Sequence, residues 1–395
     1  MSHPLRLFAP GPVEVPERIR LALGEPVYHH RSADFRSILA DVRERLGRLW
    51  QAPGWEPLVL NCSGSGAMEG AVVNLMSRGE KAINVCAGKF GERWGHILRA
   101  YGCEVVELTL EWGRSVTPGE VLALLAKHPD VKAVYLTSAD TSTGGEHPIE
   151  VLGPAIRAVS DALVVVDCIC DFGGARDIRP IDWQIDAAVS CSQKCLLLPP
   201  GLGLATLGPR AIQRMQSADL GRFYFDWKLE LVRQRDERLT AWTSAVNLIR
   251  GLQESLAMIE EEGLERVVER YARQAAAVGA AVRATGLDLF PELPTSALTA
   301  VRCGPELDGT RVVELARSKY RYQFVNGQDR LKGKIFRIGN LGVQHDADII
   351  GAVHVLERVL ADLGALRCRP GEAVAAAAAR MHGVAEERSR VSRAS

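Results

Sequence analysis

Short apolar runs recur through the first half of the chain, each stopped by small or polar residues. They fall at 57–61, 81–86, 104–108, 133–137, 163–167 and 187–189. Runs of this length, apolar at most positions, read as strands, and the unbroken ones as strands buried on both faces. Between them the apolar positions repeat with helical spacing. At 32–50, for example, Phe35, Ile38, Leu39, Val42 and Leu46 share one stripe, and further helices are expected at 92–101, 118–128 and 151–160. The alternation of strand and helix predicts an α/β fold, a mostly parallel sheet with helices on both faces. Helices at 229–237 and 244–262 follow. From about Gly263 a second mixture begins: a helix at 264–285, a strand at 297–301, a helix at 309–318, strand-like stretches at 323–326 and 333–340, and a final helix at 346–364.

At 395 residues the chain exceeds one core, so a large and a smaller domain are expected. Pro4, Pro10, Pro12 and Pro16 make residues 1–20 an extended arm. The large domain spans 21–262 and the small C-terminal α/β domain 263–365. The tail, 366–395, is rich in alanine and arginine, and reads as a short helix with a frayed end or a docking element for another protein.

Composition narrows the partners. Lys+Arg and Asp+Glu balance at 48 each, which gives no long-range field for nucleic acid or an anionic membrane. No apolar run reaches membrane-spanning length, and the first residues have no apolar leader core, so a cytoplasmic protein is expected. Nine cysteines, an odd number mostly within strand-like runs, argue against a disulfide framework. Cys168-Ile169-Cys170 and Cys191…Cys195 suggest a metal at first sight, but they lack partner histidines, and no metal is expected.

The chemistry-bearing residues collect where strands end. Ser63, Phe90, Thr141, Asp167 and Lys194 each stand at the carboxyl end of a strand or in the loop after it, where ligands bind in parallel sheets. Lys194 is the one lysine in the apolar stretch 188–201. Desolvation disfavours an ammonium, and a neutral amine there can attack a carbonyl carbon. Asp167 ends four apolar residues, where a carboxylate either needs a cationic partner or caps a turn. Ser63-Gly64-Ser65-Gly66 joins a strand to a helix whose N-terminus suits a phosphate, without Walker or dinucleotide spacing. Arg337, between strand-forming residues, is either a carboxylate fork or a structural ion pair. His29-His30-Arg31 is a polar loop or an anion site.

Taken in order, Ala9-Pro10-Gly11-Pro12, His29-His30-Arg31, Ser63-Gly64-Ser65-Gly66-Ala67-Met68-Glu69, Asp140-Thr141-Ser142-Thr143-Gly144, Val166-Asp167, Ser192-Gln193-Lys194, Pro199-Pro200-Gly201 and Lys334-Ile335-Phe336-Arg337-Ile338-Gly339 resemble the class V aminotransferases. The likeness is strongest to their alanine/serine–glyoxylate branch and covers roughly residues 5–365. It implies the pyridoxal 5′-phosphate (PLP)-dependent transferase fold of the aspartate-aminotransferase type, and a homodimer with shared active sites. By that resemblance Lys194 is the Schiff-base lysine, and Asp167 the partner of the ring nitrogen. Ser63, Gly64, Ser65 and Gln193 hold the phosphate, and Thr243 reaches the neighbouring subunit's phosphate. Phe90 and Ile169 pack the two ring faces, and Thr141 lies near the ring oxygen. Arg337 and Gly11 bind substrate. The implied reaction moves an amino group from a small amino acid, of the alanine or serine type, to a 2-oxo acid such as glyoxylate or pyruvate. Two alternatives stay open: a PLP lyase, desulfurase or epimerase, and a non-enzymatic scaffold. Asp171, an extra acid four residues beyond Asp167, departs from the family's pattern.

Overall fold

The computed structural model describes residues 5–391. Its larger sheet has seven strands in the order Glu56–Leu60, Gly203–Leu207, Ala187–Cys191, Leu163–Asp167, Ala133–Thr137, Lys81–Cys86 and Glu104–Thr109. Gly203–Leu207 runs against both of its neighbours; every other adjacent pair is parallel. Val134, Leu136, Val164 and Val166 enter one apolar cluster, while Ala133, Tyr135, Leu163 and Val165 enter another. Successive side chains point to opposite faces, and both faces of the central strands are covered, so Ala133–Thr137 and Leu163–Asp167 are buried throughout, while the edge strand Glu104–Thr109 is partly exposed. The register pairs Thr137 with Asp167 and Asp167 with Val189. The strands ending in Thr137 and Asp167 therefore finish level and Ala187–Cys191 runs two residues further, and the turns beyond them open along one edge.

The strand Gly203–Leu207 was not expected from the sequence. Pro199-Pro200-Gly201 reads as loop punctuation, and it conceals the strand behind it. Gly203 is required there by contact: a Cβ would sit 2.6 Å from Cys62 Sγ and 3.1 Å from Ala67 Cβ.

A second, antiparallel sheet carries Asp288–Leu289, Leu298–Arg302, Ile335–Gly339 and Val325–Asn326. Val301, Phe336 and Ile338 pack there with Ala277, Ala281 and Leu356 of the covering helices. The N-terminal arm joins this unit. Arg6–Leu7 pairs in parallel with Tyr322–Gln323, and Phe8 enters the same core. The arm is not extended to residue 20. A helix, Glu17–Gly24, starts directly after Pro16, because proline is tolerated where a helix begins.

The tail also departs from expectation. Glu372–Val391 is a helix of 20 residues, longer than the short one foreseen, and it packs against Leu264–Ala284 of the same chain. Ala373, Ala377 and Met381 are buried in that contact. The buried carboxylate of Glu357 accepts the N–H groups of Gly371 at 3.1 Å and Ala373 at 2.7 Å, capping the helix start. Alanine side chains let the two helices approach closely, so the composition that looked weakly structured serves packing within the chain. Residues 392–395 lie outside the described residues. No helix among the described residues is long and apolar enough to cross a membrane.

Candidate active site

Lys194 is buried just beyond the strand Ala187–Cys191. Side-chain hydroxyls satisfy several backbone groups of its turn. The Ser192 hydroxyl donates to Pro199 O at 2.7 Å and accepts from Leu202 N at 3.2 Å, and Ser255 Oγ donates to Leu196 O at 2.5 Å. The Lys194 amine donates to Pro10 O. Gly11, at φ +103°, lies against the lysine stem: a Cβ there would come 2.8 Å from Nζ and 2.5 Å from Cδ. The arm reaches this point because it is pinned to the smaller sheet, where Gly339 N also donates to Phe8 O at 2.7 Å.

The Ser63-to-Ser65 turn opens the helix Gly64–Leu75, with Ser63 as its cap accepting Gly66 N–H at 3.3 Å. The first N–H groups of a helix have no acceptor within it, and the macrodipole makes that end attract anions. A Cβ on Gly64 would lie 2.7 Å from Ile169 Cδ1, so the turn and Ile169 are in contact. Gln193 is half-buried, and its Oε1 is buried without a partner. Asp167 is buried; its Oδ1 accepts Ile169 N–H at 2.8 Å, and among the described residues it forms no ion pair. Burial pushes its carboxyl up to about 7.

Arg337 is buried on the smaller sheet, in the strand Ile335–Gly339. It donates to Thr141 O at 2.6 Å and to Asn326 O at 2.6 and 3.1 Å. Among the described residues it meets no carboxylate within ion-pair distance, which rules out the structural ion pair. Desolvation pulls its guanidinium down to about 10. Thr141 is buried beside it, and Thr243 is exposed, its carbonyl accepting Asn61 Nδ2 at 2.8 Å. In the same region exposed Tyr224 stacks on Trp242, centroids 5.8 Å apart, and exposed Phe223 packs tilted against it at 4.8 Å. The His29-His30-Arg31 loop is largely exposed in the single chain.

Arg93 escaped the sequence reading, and Asp140, part of the segment 140–144, had no role assigned there. Arg93 lies over the Phe90 ring, 4.7 Å from its centroid, and donates to Ser65 Oγ at 2.8 Å. Its position one turn after Phe90 in a helix was the available signal. Asp140 accepts the N–H groups of Phe90 and Gly91 at 2.9 and 3.3 Å; only the fold brings these partners together. Asp171 is buried and accepts the Ser138 hydroxyl at 2.5 Å, while Arg176 donates to that same oxygen at 3.0 Å. Burial holds its carboxyl above the ordinary range. No cluster of three or more His, Cys, Asp or Glu among the described residues is arranged to hold a metal ion.

The family model described as "Aminotransferase class-V" matches residues 21–287. The chain is 37% identical over 383 residues to "Soluble hydrogenase, small subunit" of Synechococcus sp. (strain PCC 6716), covering 95% of this chain and 98% of that one. It is 33% identical over 377 residues to the L-aspartate–glyoxylate aminotransferase of Paracoccus denitrificans, covering 94% of each. The crystal structure of ureidoglycine-glyoxylate aminotransferase from Bacillus subtilis superposes with a TM-score of 0.91 at 28% identity, over 97% of this chain and 99% of that one. With the lysine turn, the glycine-rich turn and the buried Asp167 at one sheet edge, these matches place the chain in the class V aminotransferases, PLP-dependent enzymes.

Proposed function

We propose that this enzyme transfers the amino group of a small amino acid, of the alanine or serine type, to a 2-oxo acid such as glyoxylate or pyruvate. The observation that carries the reading is Arg337: a buried guanidinium held by two backbone carbonyls and meeting no carboxylate among the described residues. A buried cation is costly without a counter-charge, and a planar fork matches a substrate carboxylate. The glyoxylate aminotransferases among the relatives support the choice of acceptor.

The site's residues fit pyridoxal 5′-phosphate. Asp167 is a buried carboxylate without an ion-pair partner among the described residues, suited to a protonated ring nitrogen. The helix start after Ser63 offers free N–H donors to a phosphate, and half-buried Gln193 stands in the lysine turn assigned to the same group. Bound there, the coenzyme supplies an electron sink for charge developing at the substrate's α-carbon. Ser63, Gly64, Ser65 and Gln193 grip the phosphate, Phe90 and Ile169 hold the ring faces, and Thr141 stands by the ring oxygen. Asp167 keeps a proton on the ring nitrogen. Arg337 orients the α-carboxylate, with Gly11 leaving room for substrate beside the lysine. Lys194 Nζ takes the proton from the α-carbon and returns it on the product side.

A homodimer with Thr243 reaching the partner's phosphate accords with its exposure and with the exposed aromatic cluster around Trp242. A cytoplasmic location accords with nine unpaired cysteines. The cysteines near Lys194 do not favour a desulfurase: burial pushes the Cys191 and Cys195 thiols up to about 12, and those of Cys168 and Cys170 upward as well. Buried, protonated thiols are poor sulfur acceptors.

The test has two parts. Borohydride treatment followed by peptide mass analysis should find a pyridoxyl group on Lys194. A screen of amino acids, read as conversion of the bound coenzyme to its pyridoxamine form, should then show half-transamination with alanine or serine. Protein carrying the adduct yet inert to every amino donor would reject the proposed reaction.

A further inference from the structure

We propose that Asp140 is a positioning residue for the coenzyme: locked against the Gly88 backbone, its carboxylate holds the N–H groups of Phe90 and Gly91 and so fixes the Phe90 ring over the site. The inference rests on the reading of Phe90 as the ring-stacking residue, and adds what holds that ring in place.

Phe90 is the second residue of the helix Lys89–Ala100, at the point where a helix is least constrained. The first N–H groups there find no acceptor within the helix. The capping position is Gly88, which has no side chain to supply one. All three N–H groups that open the helix go instead to a single turn, 50 residues away in sequence. Lys89 N donates to Ser142 Oγ at 3.0 Å, Phe90 N to Asp140 Oδ2 at 2.9 Å, and Gly91 N to the same oxygen at 3.3 Å. The two capping side chains are themselves joined. Asp140 Oδ1 accepts the Ser142 hydroxyl at 2.6 Å and Ser142 N at 2.9 Å. Both carboxylate oxygens are thus committed, and the group is buried. A negative charge at this end also suits the helix dipole.

Gly88 completes the lock. Its φ of −177° is extended backbone open to any residue, so glycine is not required by conformation. It is required by space, because a Cβ would run into the Asp140 carboxyl group. The carboxylate therefore presses directly on the backbone that leads into Phe90. The same turn also faces the substrate side, since the carbonyl of Thr141 receives the Arg337 guanidinium at 2.6 Å. One short segment thus touches both the ring-stacking helix and the carboxylate fork.

An ordinary structural cap and a positioning residue differ in one measurable respect. If Asp140 acts through Phe90, its loss matters little once the ring is gone. The experiment measures release of pyridoxal 5′-phosphate from the diluted holoenzyme, followed by the visible circular dichroism of the bound coenzyme. Asp140→Ala should release it about tenfold faster, with a weaker signal per bound coenzyme. Asp140→Asn, which keeps one oxygen acceptor, should fall between that variant and wild type. In Phe90→Ala protein, adding Asp140→Ala should change the rate by less than about twofold. Gly88→Ala, which pushes the carboxylate aside, should reproduce the defect in an otherwise native chain, and serves if Asp140→Ala does not fold. Independent, multiplying effects of Asp140→Ala and Phe90→Ala would overturn the proposal, as would a Gly88→Ala protein that holds its coenzyme like wild type. Either result leaves a pyridoxyl group on Lys194 and the proposed function intact; wild-type protein that never takes up the coenzyme defeats both.

Discussion

The Asp167–Lys194 side of the site and the Arg337 side are assembled at different levels of the fold. Asp167 ends one, and Lys194 follows the other, of two adjacent parallel strands, Leu163–Asp167 and Ala187–Cys191, whose register sets their relative height. Arg337 stands on the smaller sheet, and its guanidinium spans from Asn326 O on that sheet to Thr141 O beyond the larger one. The lysine side depends on strand pairing within a sheet. The arginine side depends on how two sheets are brought together, and on buried carbonyls in place of a carboxylate. Coenzyme retention and substrate recognition should therefore fail separately.

Replacing Lys194 with alanine should cut turnover at least about 1,000-fold and abolish the borohydride-trapped adduct, while thermal unfolding stays cooperative. Arg337→Ala should lower kcat/KM for the amino acid about 100-fold, mostly through KM, with coenzyme affinity little changed. Loss of coenzyme in the arginine variant, measured by equilibrium titration, would break the separation. Asp167 offers a pH test on the coenzyme-free protein. Its folded-state value, raised to about 7, lies above the ordinary 3.8. The folded chain then holds more protons than the unfolded one between those values, so stability falls as pH rises through the window. The Tm of Asp167→Asn should gain on wild type from about pH 4 to 7, and coenzyme binding should shrink the difference. The smallest effect is expected far from both sides: Glu357→Gln should cost about 1 kcal/mol in denaturant unfolding by weakening the cap on the tail helix, with KM unaltered.

Much of the larger sheet was legible because burial on two faces leaves a local mark: unbroken apolar runs such as Val164 to Val166, each ended by a polar residue. A parallel sheet gathers those ends on one edge, so Ser63, Thr141, Asp167 and Lys194 could be chosen as candidates before any contact was known. Helical periodicity likewise marked the stripe from Phe35 to Leu46. Gly203–Leu207 lacked such a mark, since glycine and proline punctuation precedes it and its partners are set by pairing across the sheet.

By itself the sequence determined the alternation of elements and the residue types available at the strand ends, because both follow from side-chain polarity at local spacing. Tertiary structure alone decided that Arg337 is held by the carbonyls of Thr141 and Asn326, that the arm carries Gly11 to Lys194, that Asp140 caps the helix bearing Phe90, and that the alanine-rich tail folds back on its own chain. Each of these joins segments distant along the chain, and such meetings depend on which backbone groups and surfaces packing leaves to be satisfied, a quantity no local pattern of polar and apolar residues contains.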